Sequence, residues 1–291
     1  ELAKWLGERG IRCRPPAGSM PWFPPRRGGD VSRQERLSTL ADFVVENGAV
    51  RVEDVVRELG ISPATARRDL DALAEQQLII RTRGGASANP STGEVPLRYR
   101  TVRRPEQKAA IAKAAMALVG PGDVVGFNGG TTTTAAAHEL AIKISRDPEF
   151  GRRPVTVVTN AVNIANDLTI RPQARVVVTG GVARTRSYEL VGPLAGAILP
   201  SIRIDTLFLG VQALDPGSGI FTHTEDEAAI NAALVRASRR TIVLADSSKL
   251  GASAFARICA PGDLHALITD SGAGQAELDR LRAQGVQVIV A

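Results

Sequence analysis

Ser62-Pro63-Ala64-Thr65-Ala66-Arg67-Arg68-Asp69-Leu70 decides how the first third of the chain is read. Ser62 is a favourable N-cap, and Pro63 suits the first helical turn, where no backbone donor is needed. Thr65, Arg67 and Arg68 follow closely and can reach phosphates or base edges. Upstream, Val52 to Leu59 reads as a short helix stopped at Gly60. Helix, Gly-containing turn and capped helix with early arginines make a helix-turn-helix, whose second helix enters the DNA major groove.

Before this motif, Leu37, Leu40, Ala41, Val44 and Val45 recur at helical spacing between Ser32 and Glu46, with Asn47-Gly48 as the stop. After it, Gln77 to Ala86 reads as a β-hairpin turning at Gly84-Gly85. Three helices and a β-wing predict a winged helix-turn-helix DNA-binding domain over residues 32–88. Across that span eight arginines face nine acids, so the module is near neutral. DNA reading therefore rests on where the arginines fall. Ser62 caps the recognition helix, Thr65 and Arg68 are candidates for groove contacts, and Arg67, Arg81 and Arg83 for the phosphate backbone. A solvated face with local ion pairs is the plain alternative for Arg67-Arg68-Asp69. Cap, turn, arginines and wing occurring together favour DNA. Asp69 is expected to pair with an arginine.

The 291 residues leave room for two domains, and 44% hydrophobic with 23% charged residues is ordinary globular composition. The net charge of +6 suits a polyanionic partner. Cys13 and Cys259 are far apart and fit no metal-ligand spacing, so no metal, cofactor or disulfide framework is expected. No apolar run spans a membrane and no secretory signal is seen, so a cytoplasmic location is expected. Residues 1–31 carry many Pro, Gly and Arg and read as a disordered basic leader, or as sequence upstream of a start near Met20. Residues 89–105, opening with Asn89-Pro90-Ser91-Thr92-Gly93, read as a linker. Its Arg98, Arg100, Arg103 and Arg104 are expected to relay geometry to the DNA module.

Residues 106–291 alternate strands with helices. Strands are expected at 123–127, 155–159, 175–179, 205–210, 241–245, 264–269 and 286–290, and helices at 131–140, 160–168, 190–199, 226–238 and 274–284. Short, apolar, β-branched strands predict an open, mostly parallel α/β sheet. In Gly126-Phe127-Asn128-Gly129-Gly130-Thr131-Thr132-Thr133-Thr134 a strand ends, glycines allow a tight turn and threonines open a helix. Backbone N–H groups at that helix start, with the positive dipole end behind them, suit a phosphate. The loop is neither a Walker A motif nor a dinucleotide fingerprint. Thr159-Asn160, Thr179-Gly180-Gly181 and Asp246-Ser247-Ser248-Lys249 end other strands, at the edge where open α/β sheets bind ligands. Plain turns, with Asn160 and Ser247 as caps, are the alternative. His223 and Glu225 to Glu227 suggest a polar cluster, though acids at a helix start have an ordinary dipole explanation.

With these residues in view, the chain resembles the DeoR family of bacterial transcriptional regulators over nearly all of 32–291. The wing ending Arg83-Gly84-Gly85-Ala86 looks like that family's, and Asn128-Gly129-Gly130-Thr131-Thr132 matches its Asp-x-Gly-Thr-Thr ligand loop with Asn in place of the acid. Thr159-Asn160, Thr179-Gly180-Gly181, Gly192 and Ala245 to Lys249 also match, and Lys108 matches a recurring lysine near the sensor's start. The resemblance implies repression of a carbohydrate-metabolism operon on double-stranded operator DNA by a homo-oligomer. It implies control by a phosphorylated sugar or polyol, bound in a 106–291 domain akin to ribose-5-phosphate isomerase. Lys108, Asn128, Gly129, Gly130, Thr131, Thr132, Thr159, Asn160, Gly180, Gly181 and Lys249 are the expected effector residues. The alternative is a sugar-phosphate isomerase carrying a DNA-binding module. Isomerisation needs a general base, yet Gly210-Val211-Gln212-Ala213 carries no acid before Asp215, so no catalytic residue is expected.

Overall fold

The computed structural model describes residues 33–89, Leu97 and 104–291. The expected leader and most of the expected linker, including Arg98, Arg100 and Arg103, lie outside them.

Residues 33–89 form α1 (Arg33–Asn47), β1 (Ala49–Arg51), α2 (Val52–Leu59), α3 (Pro63–Glu75), β2 (Ile79–Thr82) and β3 (Gly85–Ala88). Gly60 ends α2 in the left-handed region at φ 65°, and its N–H donates to the Val56 carbonyl at 3.0 Å. Ser62 then caps α3, its Oγ accepting the Thr65 N–H at 3.2 Å. The apolar stripes of the three helices close over Leu40, Val44, Val55, Leu70, Leu73 and Ile79. One charged tie crosses this core: Arg36 of α1 grips Asp69 of α3 through Nε at 2.6 Å and Nη2 at 3.3 Å, with Asp69 buried.

The wing is a three-stranded antiparallel sheet in the order β1-β3-β2, not a lone hairpin. Strand β1 has only three residues, too few to show a period of two. Gly85 permits the pairing. A Cβ at that position would lie 2.0 Å from the Val50 carbonyl oxygen.

Residues 104–291 continue with α4 (Pro105–Met116), β4 (Val124–Phe127), α5 (Thr131–Arg146), α6 (Glu149–Arg152), β5 (Val155–Thr159), α7 (Val162–Thr169) and β6 (Ala174–Val178). Then follow β7 (Val182–Ala183), β8 (Leu190–Val191), α8 (Pro193–Gly196), β9 (Ile204–Gly210), β10 (Ala213–Asp215) and β11 (Gly219–Thr222). The chain ends with α9 (Glu225–Ala237), β12 (Ser238–Leu244), β13 (Ala256–Cys259), β14 (Ala266–Thr269), α10 (Gln275–Ala283) and β15 (Gln287–Val290). Seven strands make one sheet in the order β15-β14-β12-β9-β4-β5-β6, with every neighbouring pair parallel. The chain winds outward from β4 through β5 to β6, then returns to β9 on the other side of β4. The β4/β9 boundary is thus a topological switch point, where such sheets open a crevice.

Each face of the sheet carries its own apolar layer. Ile111 of α4, Leu140 and Ile144 of α5 and Ile164 of α7 cover one face, where Phe127 and Phe208 stack with centroids 5.4 Å apart. Ile230 and Leu234 of α9 and Leu278 and Leu281 of α10 cover the other.

Three local expectations need correction. The 190–199 stretch is no helix: Gly192 at φ 86°, followed by Pro193 and later Pro200, divides it into β8, the single turn α8 and a 3-10 turn at Leu199–Ser201. The helix opened by the threonines runs on to Arg146. Strands β10, β11 and β13 form a small antiparallel sheet, and β7 and β8 a hairpin, none of them anticipated. Cys259 is buried, and that burial pushes its thiol up to about 12, which makes it a packing residue.

Replacing Gly85 with alanine is expected to destabilise the winged module by about 1–3 kcal/mol through forced separation of β1 and β3. Urea unfolding followed by circular dichroism measures it; a loss within error of zero contradicts the close-approach argument.

Candidate functional site

On α3, Pro63, Ala64, Arg67 and Arg68 are exposed, while Ala66, Leu70 and Leu73 face the core. The helix is therefore held by its apolar side with both arginines outward. Ser62 and Thr65 lie at its N-terminus with their hydroxyls 2.9 Å apart. Arg83 stands at the exposed tip of the wing. Arg81, expected on the phosphate backbone, is half-buried: its Nε donates to Asp71 at 2.8 Å and its Nη1 to the Gly85 carbonyl. It ties wing to recognition helix, and of the arginines expected to face DNA, Arg67, Arg68 and Arg83 are fully exposed.

At the C-terminal ends of β4, β9 and β12 the sheet opens into a cavity of about 430 Å³. Of the expected effector residues, Lys108, Asn128, Gly129, Gly130, Thr131, Thr132 and Lys249 line it. Thr159, Asn160, Gly180 and Gly181 do not. Thr159 Oγ1 accepts the Ala161 N–H, and the Asn160 amide donates to the Leu190 carbonyl at 3.3 Å, so both build the crossing from β5 to β8. Gly180 and Gly181 turn the chain out of β6 at φ 81° and 112°.

Asn128 is buried and acts on the backbone opposite. Its Nδ2 donates to the Gly210 carbonyl at 2.9 Å and its Oδ1 accepts the Gly210 N–H at 2.7 Å. This reciprocal pair extends the β4–β9 ladder by one side chain and fixes where the loop leaves the sheet. Gly129 then donates its N–H to Glu189 Oε1 at 2.8 Å, and a Cβ there would come within 2.4 Å of Glu189 Cγ. The Gly130 carbonyl accepts from the hydroxyls of Thr133 at 3.1 Å and Thr134 at 2.6 Å. These two threonines brace the turn, while Thr131 and Thr132 open α5 toward the cavity. A helix start with first-turn N–H groups and hydroxyls facing a cavity is an anion site.

Lys108 and Arg104 come from the start of α4, one turn apart. Arg104 donates from Nη1 to Ser247 Oγ at 2.8 Å and lies 3.9 Å from Asp246. The turn after β12 is held by acids: Asp246 caps Ser248, and Asp270 accepts the Ser247 N–H at 2.6 Å. Burial pushes the Asp270 carboxyl up, but the N–H groups of Ser247 and Gly272, the Ser247 hydroxyl and the charge of Arg104 outweigh it and hold the group below the usual range. That turn carries Ser248 and Lys249 to the cavity rim.

The opposite wall holds His223 and Glu227 of the expected polar cluster, together with four residues that the sequence does not single out. Ser187, Glu189, Thr222, His223, Glu227 and Asn231 line it. Of the acids opening α9, only Glu227 faces inward; Glu225 and Asp226 are exposed. Glu227 Oε2 accepts the Thr222 hydroxyl at 2.8 Å, and Oε1 pairs with Arg184. Burial pushes the Glu227 carboxyl up, but hydrogen bonding and the Arg184 charge hold it below the usual carboxylate range. The missed signal was spacing: Glu227, Asn231 and Leu234 fall at i, i+4, i+7, placing polar groups in a buried stripe. Among the described residues no group of three or more His, Cys, Asp or Glu is placed to hold a metal ion. No described helix is long and apolar enough to cross a membrane.

Two family models match the chain. Residues 36–92 match the DeoR-like helix-turn-helix domain and residues 103–271 the DeoR C terminal sensor domain. The regulator GlpR of Haloferax volcanii is 34% identical, over 88% of this chain and 96% of that protein. The repressor GlcR of Bacillus subtilis is 31% identical, over 89% and 96%. The glycerol-3-phosphate regulon repressor of Escherichia coli is 28% identical, over 83% and 92%. Among solved structures, ribose 5-phosphate isomerase A of Methanocaldococcus jannaschii aligns at 18% identity over 50% of this chain and 54% of its own, with a TM-score of 0.37.

Asn128→Leu is expected to strand the Gly210 N–H and carbonyl and to cost at least about 2 kcal/mol. Asn128→Asp keeps the acceptor and loses the donor, so it should cost less. Its deficit should shrink as pH falls, because a carboxyl facing a carbonyl has its pKa raised and binds its proton more readily in the folded state. Denaturant titrations at pH 5 and 8 check both; equal stability of all three proteins contradicts the ladder role.

Proposed function

The chain belongs to the DeoR family of transcriptional regulators, and from that premise we propose that it represses a carbohydrate-metabolism operon under the control of a phosphorylated sugar or polyol. The carrying observation is the cavity where the start of α5 meets Lys108 and Lys249. Backbone donors, two threonine hydroxyls and two lysines in one recess suit a phosphate ester. A relative named for the glycerol-3-phosphate regulon and another named as a repressor support the same reading. Arg67, Arg68 and Arg83 carry operator binding, in the cytoplasm, with two copies of the module on repeated half-sites of one symmetric oligomer.

An effector shifts DNA affinity only if it binds DNA-competent and incompetent states unequally. Two described residues of the 89–105 segment offer the route. Leu97 is buried and donates its N–H to the Arg186 carbonyl at 2.7 Å, next to Ser187 on the cavity wall. Arg104 itself lines the cavity. Leu97 and Arg104 are thus fastened at the two walls that a ligand would press on.

The enzyme reading is disfavoured by how the acids are engaged. Asp215 accepts the N–H groups of Gly217 and Ser218 in a turn. Glu189 holds the Gly129 N–H, and Glu227 is paired with Arg184 and Thr222. Purified protein is expected to leave pentose phosphates unconverted.

Arg67→Ala with Arg68→Ala should weaken operator binding at least about 30-fold and lower the salt slope by about one to two, from the usual worth of such contacts. Thr131→Glu should retain operator binding and lose the response to effector. Salt-matched mobility-shift titrations with and without sugar phosphates check both. Unchanged affinity in the arginine variant, or a retained response in the threonine variant, overturns the corresponding assignment.

A further inference from the structure

Helix α9 borders two recesses. Glu227 and Asn231 line the cavity at the sheet's edge, and a different side of the helix borders a groove of about 890 Å³. That groove lies between α9, the single turn α8 and the 3-10 turn at Leu199–Ser201. On α9 it is lined by Asp226, Ala229, Ile230, Ala233, Arg236 and Ala237. Their spacing is that of one helix face. The middle of this face is small and apolar, and its two ends carry opposite charge. Asp226 stands at the start of α9, with Glu225 before it. Arg236 stands at the far end, where Arg203 and Arg239 join it from the paired starts of β9 and β12. All five charged residues are exposed, and none forms an ion pair with another described residue. Leu194, 71% exposed, stands on α8 between two residues that line the groove.

A surface whose charge reverses along its length is complementary to a second copy of itself turned end for end. A two-fold axis crossing α9 at the level of Asn231 sets Asp226 against the partner's Arg236 and Ala229 against the partner's Ala233. Symmetry makes each contact twice. Alanines at the crossing let the two helix axes approach closely, because the side chains at the contact set that distance. Each α9 then lies in the groove of the other copy, and Leu194 covers the partner's helix. An acidic ligand is drawn to the three arginines but repelled at the Asp226 end, whereas a second copy satisfies both ends. We propose that the groove between α8 and α9 is the two-fold interface at which two copies of this chain join, with the Asp226–Arg236 pairs fixing the antiparallel register. Charges across an interface set register and partner choice in this way. The inference rests on the symmetric oligomer proposed above and names the surface that forms it.

Sedimentation equilibrium of the full chain tests it. Asp226→Arg, and separately Arg236→Asp, set like charges against each other across the axis. Each is expected to weaken self-association at least about tenfold, since juxtaposed like charges at an interface are strongly unfavourable. The double variant, Asp226→Arg with Arg236→Asp, exchanges the two signs and should recover most of that loss. Both positions are exposed, so far-ultraviolet circular dichroism is expected to be the same in all four proteins. Association unchanged in either single variant, or a double variant no better than the weaker single one, overturns the inference and leaves the symmetric oligomer to be joined elsewhere. An unaltered chain that stays monomeric at every concentration removes this inference and the symmetric-oligomer reading together.

Discussion

The reciprocal hydrogen bonds between the Asn128 amide and the Gly210 backbone are the constraint on which the ligand site depends. Strands β4 and β9 are neighbours at the point where the winding of the sheet reverses. Beyond their last ladder bonds, two backbone groups of Gly210 would face a recess without partners. One amide supplies both the missing donor and the missing acceptor. The loop then leaves the sheet in a single direction. Gly129 passes close under Glu189, and Gly130, at φ 139°, aims the start of α5 at the cavity. A carboxylate at 128 lacks the donor half of this arrangement.

From that point the site is assembled by the two faces of the sheet. Helices α4 and α5 bring cations and helix-start donors from one side, and α9 with the 187–189 segment brings acids and an amide from the other. Neither group of residues is close to the other in sequence. The same wall carries the attachment of Leu97, whose N–H is held by the Arg186 carbonyl beside Ser187.

The DNA module uses charge economically. Of the arginines expected to face DNA, Arg81 is engaged by Asp71 and Gly85. Arg36, which the sequence did not single out, anchors α1 to the recognition helix through buried Asp69. A near-neutral module thereby presents a small outward basic set on a rigid support. Position matters more than net charge, because salt leaves only nearby charges effective.

Elements whose signals are local can be read directly from the order of the residues. A cap, a proline and a stop glycine define the recognition helix, and alternating β-branched strands and amphipathic helices define the parallel sheet. The Gly-Gly-Thr-Thr turn marked one wall of the cavity, since helix-start anion chemistry is written in consecutive residues. What depends on distant partners emerges only when the chain is folded. Asn128 became a backbone clamp because Gly210 lies across the ladder. Thr159, Asn160, Gly180 and Gly181 fell outside the cavity because their strand ends serve the crossing to β8. Glu227 and Asn231 came to line the opposite wall because α9 packs on the face opposite α4. Side-chain direction across a sheet edge is set by packing between remote segments, and no local period records it.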